Sequence, residues 1–270
     1  MRYAILSDIH GNAVALEKVL ADAQKQKVDQ ILCLGDVVGY GPNPNKCLEL
    51  VHQHCKFVLL GNHEAGVCGR LGLDWYSETA KAGVLRDRSR VSSEDKEWMR
   101  NLPYIKVVDD PSGKFMCAHG TPAGIVEDFD YILSGFEAGM AMSSARKDGC
   151  NLLFVGHTHE ACRFESPTIV KEDVDENGFP RYYSETTVDK SQVFKLNKDL
   201  RYVINVGSVG YPRVQHFTCY AIYDSEKHTV EHRVLDFDFF GYADEMNSAG
   251  IPLPGWLEYH IRSLREGAEG

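Results

Sequence analysis

The first sixty residues alternate short apolar runs with stretches of helical spacing. "YAILSD" (3–8), "QILCLGD" (30–36) and "KFVLLGNHE" (56–64) are compact apolar segments that close on polar residues, the pattern of strands buried on both faces. Between them, "AVALEKVLADAQKQ" (13–26) places Val14, Leu16, Val19 and Leu20 at helical intervals behind Asn12, an N-cap residue type. "NPNKCLELVHQHC" (43–55) offers Asn43 as cap and Pro44 at the first helical position. The order strand, helix, strand, helix, strand predicts a parallel sheet with right-handed crossovers.

Residues 74–102 read as helical, with a helix-start box in "SSED". Beyond them the chain turns strand-rich. "KFMCAHG", "NLLFVGHTH", "RYVINVGSVG", "TCYAIYD" and "TVEHRVLDFD" are short β-like runs, and helical "LSGFEAGMAMSSARKDG" separates the first two. The pattern predicts an α/β (α+β) chain, a four-layer αββα sandwich of two mixed β-sheets flanked by helices. No linker or repeat divides it, so residues 1–270 read as one domain. The stretch 165–200 breaks the rhythm. It is charged, turns at Asn177-Gly178 and clusters Glu172, Asp173, Asp175 and Glu176, and reads as a hairpin or loop excursion beside the His159 segment, either a lid or a solvated hairpin.

Composition narrows the partners. With 43% apolar and 25% charged residues the balance is that of a globular protein. The formal charge of -10 argues against a broad grip on long nucleic acid or an anionic membrane. No apolar stretch is long enough to suggest a membrane span, and the N-terminal apolar run is too short for a signal peptide. A cytoplasmic location is therefore expected. The eight cysteines form no CxxC pair and read as free thiols packed as small hydrophobes.

The chemistry lies after the strands. "SDIHGN", "LGDVVGYG", "LGNHE", "CAHG" and "VGHTHE" each follow an apolar run, and sites in open α/β sheets form at the carboxyl ends of strands. Taken singly each stretch is common turn chemistry. Together they would carry Asp8, His10, Asp36, Asn62, His63, His119, His157 and His159 to one rim. His52, His54, His216, His228, His232 and His260 follow no such rule and read as surface or packing residues. Carboxylate, imidazole and amide oxygen together suit a borderline divalent transition metal (Mn, Fe, Zn, Ni or Co). An all-oxygen magnesium or calcium site has no need of four histidines, and the lack of cysteine speaks against a structural zinc cage.

The ordered set Asp8-x-His10, Gly35-Asp36, Gly61-Asn62-His63-Glu64, His119 and Gly156-His157-x-His159 resembles the calcineurin-like metallophosphoesterases. "GDVVGYGPNPN", "NVGSVGYPR" and "AGIPLP" are similar to a bacterial and archaeal subgroup of small phosphodiesterases, some of which resemble asymmetric dinucleoside tetraphosphate hydrolases. The resemblance implies two divalent transition metal ions, manganese or iron favoured. Asp8, His10, Asp36 and His159 would hold one ion, and Asp36, Asn62, His119 and His157 the other, with Asp36 bridging. It implies that His63 faces the substrate as the catalytic group, protonating the leaving oxygen or stabilising phosphoryl charge. The implied activity is hydrolysis of a small phosphodiester or nucleotide phosphoanhydride.

Three further segments stay open. The glycines of "NVGSVGYPR" fit a tight turn better than a phosphate cradle, because P-loop and dinucleotide spacing are both missing. Arg213 is a candidate for a substrate phosphate. Asn12 could bind substrate or cap its helix, and Tyr40 could wall a pocket or sit in a surface turn. The rival reading is a non-catalytic metal-binding scaffold for protein contacts on the same fold. Such scaffolds tend to lose catalytic positions, and this chain keeps them, His63 included. Nuclease and protein phosphatase fit less well, the first because of the acidic balance, the second because larger insertions and an arginine-rich phosphate grip are missing.

Overall fold

The computed structural model describes residues 1–122, 129–166, 183–213 and 217–267. Strand β1 (Arg2–Leu6) leads into helix α1 (Ala13–Lys25), β2 (Gln30–Cys33), α2 (Pro44–His54) and β3 (Cys55–Val58). Helix α3 (Asn62–Cys68), a 3-10 turn (Leu73–Trp75), α4 (Glu78–Arg90) and α5 (Ser93–Arg100) come next. Strands β4 (Ile105–Asp110) and β5 (Gly113–Ala118), helix α6 (Gly135–Lys147), and strands β6 (Leu152–Val155) and β7 (Cys162–Glu165) follow. Strands β8 (Ser184–Thr187), β9 (Gln192–Lys195), β10 (Tyr202–Asn205), β11 (Thr218–Asp224) and β12 (Thr229–Leu235) precede α7 (Phe239–Ser248) and α8 (Gly255–Gly267).

The strands form two six-stranded sheets, ordered β3-β2-β1-β11-β12-β9 and β4-β5-β6-β10-β7-β8. Both are mixed. β1 pairs parallel with β2 and antiparallel with β11, and β6 pairs parallel with both β5 and β10.

Strand alternation builds the layers. Tyr3 and Ile5 of β1 point into a core between the sheets, where they meet Phe115 and Cys117 of β5, Leu152 and Phe154 of β6, and Tyr202 and Ile204 of β10. Ala4 and Leu6 point outward onto α1, α2, α7 and α8 through Leu16, Val19, Leu48, Tyr242 and Leu257. Met116, Ala118, Leu153, Val155 and Val203 point to the far face of the second sheet, beneath α6. A strand buried on both faces has no polar alternation, which is why these segments read as continuous apolar runs. The result is the expected αββα sandwich.

Some elements differ from the sequence reading. "KFVLLGNHE" is not strand throughout. β3 stops at Val58 and α3 begins at Asn62, because the Glu64 side chain turns back to accept from the Gly61 N–H and nucleates a helix. β4, β7, α7 and α8 are not anticipated in the sequence reading, although α8 is amphipathic and buries Trp256, Leu257 and Ile261. The acidic cluster and the Asn177-Gly178 turn lie outside the described residues, as does His216. The described part of the excursion is not a free hairpin. β8 pairs antiparallel with β7 at the edge of one sheet, and β9 with β12 at the edge of the other. All eight cysteines are free, and seven of them are buried.

Candidate metal centre

Five strands end at one rim. Asp8 and His10 follow β1, Asp36 follows β2, Asn62 and His63 follow β3, His119 follows β5, and His157 and His159 follow β6. The two sheets are tied together there. The His157 N–H, after β6, donates across to Asp8 Oδ2, after β1, at 2.9 Å; within the first sheet's rim the His63 N–H donates to Asp36 Oδ1 at 2.9 Å.

The backbone is bent to bring these side chains inward. Among the described residues eight that are not glycine have positive φ, and five of them are Asp8 (57°), His10 (49°), Asp36 (54°), His157 (67°) and His159 (67°). Left-handed backbone is costly for residues bearing a Cβ, and its concentration here is conformational strain held in place by the surrounding fold.

The side chains fall into two groups. Ligand-type atoms of Asp8, His10, Asp36 and His159 lie within 4.8 Å of one another, as do those of Asp36, His119 and His157. Asn62 extends the second group, with its Oδ1 3.3 Å from His119 Nε2. Asp36 belongs to both, the arrangement of a dinuclear site.

The polar atoms point to cations. His10 Nδ1 donates to the Val38 carbonyl at 3.0 Å, and His159 Nδ1 to the Tyr211 carbonyl at 2.5 Å. With their protons so committed, the two Nε2 lone pairs face each other at 3.1 Å. His119 Nδ1 likewise donates to the Leu34 carbonyl at 3.0 Å, and its Nε2 lies 3.4 Å from Asp36 Oδ2, placed to share a proton with that carboxylate. Asp8 Oδ1 is buried without a hydrogen-bond partner. Facing lone pairs and a buried carboxylate oxygen without a hydrogen bond are repulsive alone, and a divalent ion held between them would offset that repulsion. Backbone carbonyls that fix the tautomer are the usual outer support of metal-binding histidines. The donor set therefore fits borderline divalent metals.

Electrostatics agree. Burial alone would raise the Asp36 carboxyl, but the imidazoles of His119, His63 and His10 hold it well below the carboxylate range. Asp8 is likewise held low, chiefly by His159 against the pull of burial. Burial pushes His157 down to about 3 and His63 down to about 4. For His119 the Asp36 carboxylate overcomes burial and lifts the ring to about 9.

His63 is set apart from both groups. Its ring packs edge-on against His10 at 4.7 Å and beside Tyr40 at 4.8 Å, and lines a cavity of about 480 Å³ that opens beside Asp36, Asn62, His157 and His159. Arg213 and Tyr40 line the same cavity, so Tyr40 is a wall residue and not part of a free surface turn.

Asn12 requires a correction. Its Oδ1 accepts from the Ala15 N–H at 3.0 Å, its amide donates to the Gly210 carbonyl at 3.1 Å, and the residue has no exposed surface. It caps α1 and braces a neighbouring loop, so it has no face for a substrate. That loop, "NVGSVGYPR", is a brace. Ser208 Oγ donates to the Asp8 carbonyl at 2.8 Å, the Val209 and Gly210 N–H groups bond Ser7 and Asp8, and a Cβ on Gly210 would overlap the Ile9 carbonyl.

The sequence assigned no supporting role to three residues that hold the site's loops. Glu64, wholly buried, accepts from the N–H groups of Asp36 (2.7 Å), Val37 (2.7 Å), Val38 (3.1 Å) and Gly61 (3.1 Å), and so sets the Asp36 loop. Burial, with Asp36 adding, pushes its carboxyl up to about 7. Asn205 donates to the Gly156 carbonyl at 2.8 Å and to Thr158 Oγ1 at 2.9 Å, fixing the loop that carries His157 and His159. His232, read as surface or packing, is buried and donates to the Asn205 carbonyl at 2.9 Å beneath that loop. Glu64 had a signal in its position after "GNH", but nothing local marked Asn205 or His232.

A model of the calcineurin-like phosphoesterase family matches residues 1–161. An uncharacterized protein of Methanocaldococcus jannaschii is 29% identical over 255 residues, covering 94% of each chain. Among solved structures, a metallophosphoesterase from Sphaerobacter thermophilus superposes with a TM-score of 0.75 at 30% identity, covering 96% of this chain and 97% of its own. A hypothetical protein from Pyrococcus horikoshii shares the fold with a TM-score of 0.67 at 16% identity, covering 93% and 94%. With five strand-end segments converging on two Asp/His groups joined at Asp36, the chain belongs to the calcineurin-like phosphoesterase family.

Proposed function

We propose that this metal-dependent phosphoesterase acts on small phosphodiesters or nucleotide phosphoanhydrides. The observation that carries the reading is the placement of His63, outside both ligand groups yet in the wall of the cavity beside them. In this proposal Asp8, His10, Asp36 and His159 hold one ion and Asp36, Asn62, His119 and His157 the other. Two such ions, manganese or iron before zinc, nickel or cobalt, would supply Lewis acidity toward phosphoryl oxygens and activated water near neutral pH.

The chain's own groups do the rest. Asp36 keeps the two halves of the centre at fixed separation, its loop held by Glu64. His63 meets the leaving oxygen and delivers a proton or hydrogen bond as the ester bond breaks. Arg213, exposed at the cavity rim, pairs with a substrate phosphate oxygen. The net charge of -10 speaks for a small soluble substrate over long nucleic acid. No helix among the described residues is long and apolar enough to cross a membrane, and a cytoplasmic setting is part of the proposal.

The test is metal analysis of gently purified protein together with hydrolysis of a chromogenic diester and its matching monoester across the five metals. Two transition metals per chain and preference for the diester are expected. Full activity without metal, or clear preference for the monoester, overturns the reading. Stoichiometric metal without hydrolysis of any ester would favour the scaffold reading.

A further inference from the structure

The cavity beside the metal centre is walled mainly by rings. Tyr40, Trp75, Tyr76, Tyr131, Tyr211 and Trp256 all line its 480 Å³, a volume in the range of small-molecule sites. Several are already ordered by one another. Tyr40 stacks on Tyr211 at 4.2 Å and 18°, Tyr131 stacks on His157 at 4.1 Å and 7°, and Trp256 packs edge-on to Tyr211 at 5.9 Å. Trp75 is different. It sits on the 3-10 turn at the rim, 85% exposed, and among the described residues no ring packs on it. A tryptophan is the largest apolar surface a chain can leave in water, and this one lies at the rim of a site.

Charge narrows the occupant. Among the described lining residues Arg213 is the sole lysine or arginine and Asp36 the sole carboxylate, while Ser77 and Thr79 add hydroxyls. The part of the substrate that enters is therefore uncharged, planar and polar at its edges. Phosphate belongs to the other end, at the Asp/His groups and Arg213.

We propose that this cavity takes the nucleoside of a nucleoside phosphodiester, with the base stacked on Trp75. The inference rests on the phosphodiesterase reading above and names its substrate class. Stacking of one base on one aromatic side chain is about a tenfold effect in affinity and tolerates any base, because every base has a π-face. Base identity is accordingly a weak determinant, and the presence of a base a strong one.

Two diesters with one leaving group separate the terms: the p-nitrophenyl ester of thymidine 5′-monophosphate and ethyl p-nitrophenyl phosphate. With the manganese-loaded protein, kcat/KM for the nucleoside ester should exceed that for the ethyl ester by about tenfold or more. Trp75→Ala should lower that ratio by about tenfold, through KM of the nucleoside ester, and Trp75→Phe should retain most of it. Calorimetry supplies a readout free of turnover. AMP should bind more tightly than ribose 5-phosphate, and Trp75→Ala should remove the advantage. Circular dichroism confirms that each variant is folded, as expected for so exposed a position. Equal kcat/KM for the two diesters, or an unchanged ratio and unchanged AMP advantage in folded Trp75→Ala, overturns the stacking while leaving the phosphodiesterase reading in place. Hydrolysis of neither diester with any of the five metals overturns that reading and this inference with it.

Discussion

Replacing Glu64 by glutamine tests whether the Asp36 loop is set by one buried carboxylate. Its two oxygens accept four backbone N–H groups, Oε1 from Val37 and Val38 and Oε2 from Asp36 and Gly61. Glutamine keeps the shape but turns one oxygen into an NH₂ donor. Whichever way the amide lies, two backbone N–H groups then face a donor. An orphaned buried donor costs about 1–3 kcal/mol, so the pair costs about 2–6 kcal/mol. Part of this is offset, because Glu64 lies buried beside Asp36 and its ionisation is itself opposed, its carboxyl being pushed up to about 7. A net loss of about 2 kcal/mol is expected, or about 4–8 °C in the melting temperature of a chain this size. Two consequences should appear together in the metal-free protein: the lower melting temperature, and manganese affinity reduced about 10–100-fold as Asp36 loses its register, the usual scale for losing an outer support. Differential scanning calorimetry reads the first and isothermal titration the second. A variant that melts and binds metal like the parent refutes the hydrogen-bond accounting. One that melts lower but binds metal unchanged refutes the claim that Glu64 positions Asp36.

His63→Ala should reduce diester turnover by about 10² while leaving metal content unchanged by elemental analysis; parallel loss of metal would place His63 among the ligands. Gly210→Ala drives a Cβ into the Ile9 carbonyl beside the Asp8 loop, so it should destabilise by about 1–3 kcal/mol or more in urea denaturation; full parental stability would show that the brace yields freely. Asp22 accepts from Arg233 Nε at 2.5 Å and from Tyr220 Oη at 2.6 Å; burial opposes its ionisation, but these partners hold its carboxyl below the ordinary range. The depressed folded value means its stabilisation is present above the unfolded carboxylate range and is lost as pH falls through the folded one. Asp22→Asn should therefore destabilise by about 2 kcal/mol at pH 7, with the difference shrinking as pH falls below about 4; a difference independent of pH would sink this account.

The strands that build the double core could be read from the chain because burial on both faces leaves them uninterrupted by polar residues: "YAILSD", "KFMCAHG" and "NLLFVGHTH" each stand out as apolar runs. The candidate ligands were legible for a related reason. Sites on such sheets gather at the carboxyl ends of strands, so Asp8, Asp36, His119 and His157 are marked by what precedes them. Asn12 was ambiguous in sequence because one amide serves a cap and a ligand equally well; its burial and its bond to Gly210, 198 residues away, decided for the cap.

What the tertiary structure alone decided depends on groups distant in the chain. Asn205 holds the His157 loop across 49 residues, and no local pattern tells it from any other asparagine after a strand. β8 and β9 are too short and too exposed to announce themselves, and join different sheets only because partner edges stand open to them. The left-handed backbone at Asp8, His10, Asp36, His157 and His159 runs against local preference, so propensity could not foretell it; it persists because packing between the two sheets outweighs the strain. The aromatic cavity is of the same kind. Tyr40, Trp75, Tyr131 and Trp256 come from four separate segments, and a wall that no single segment contains exists only once the fold has brought them together.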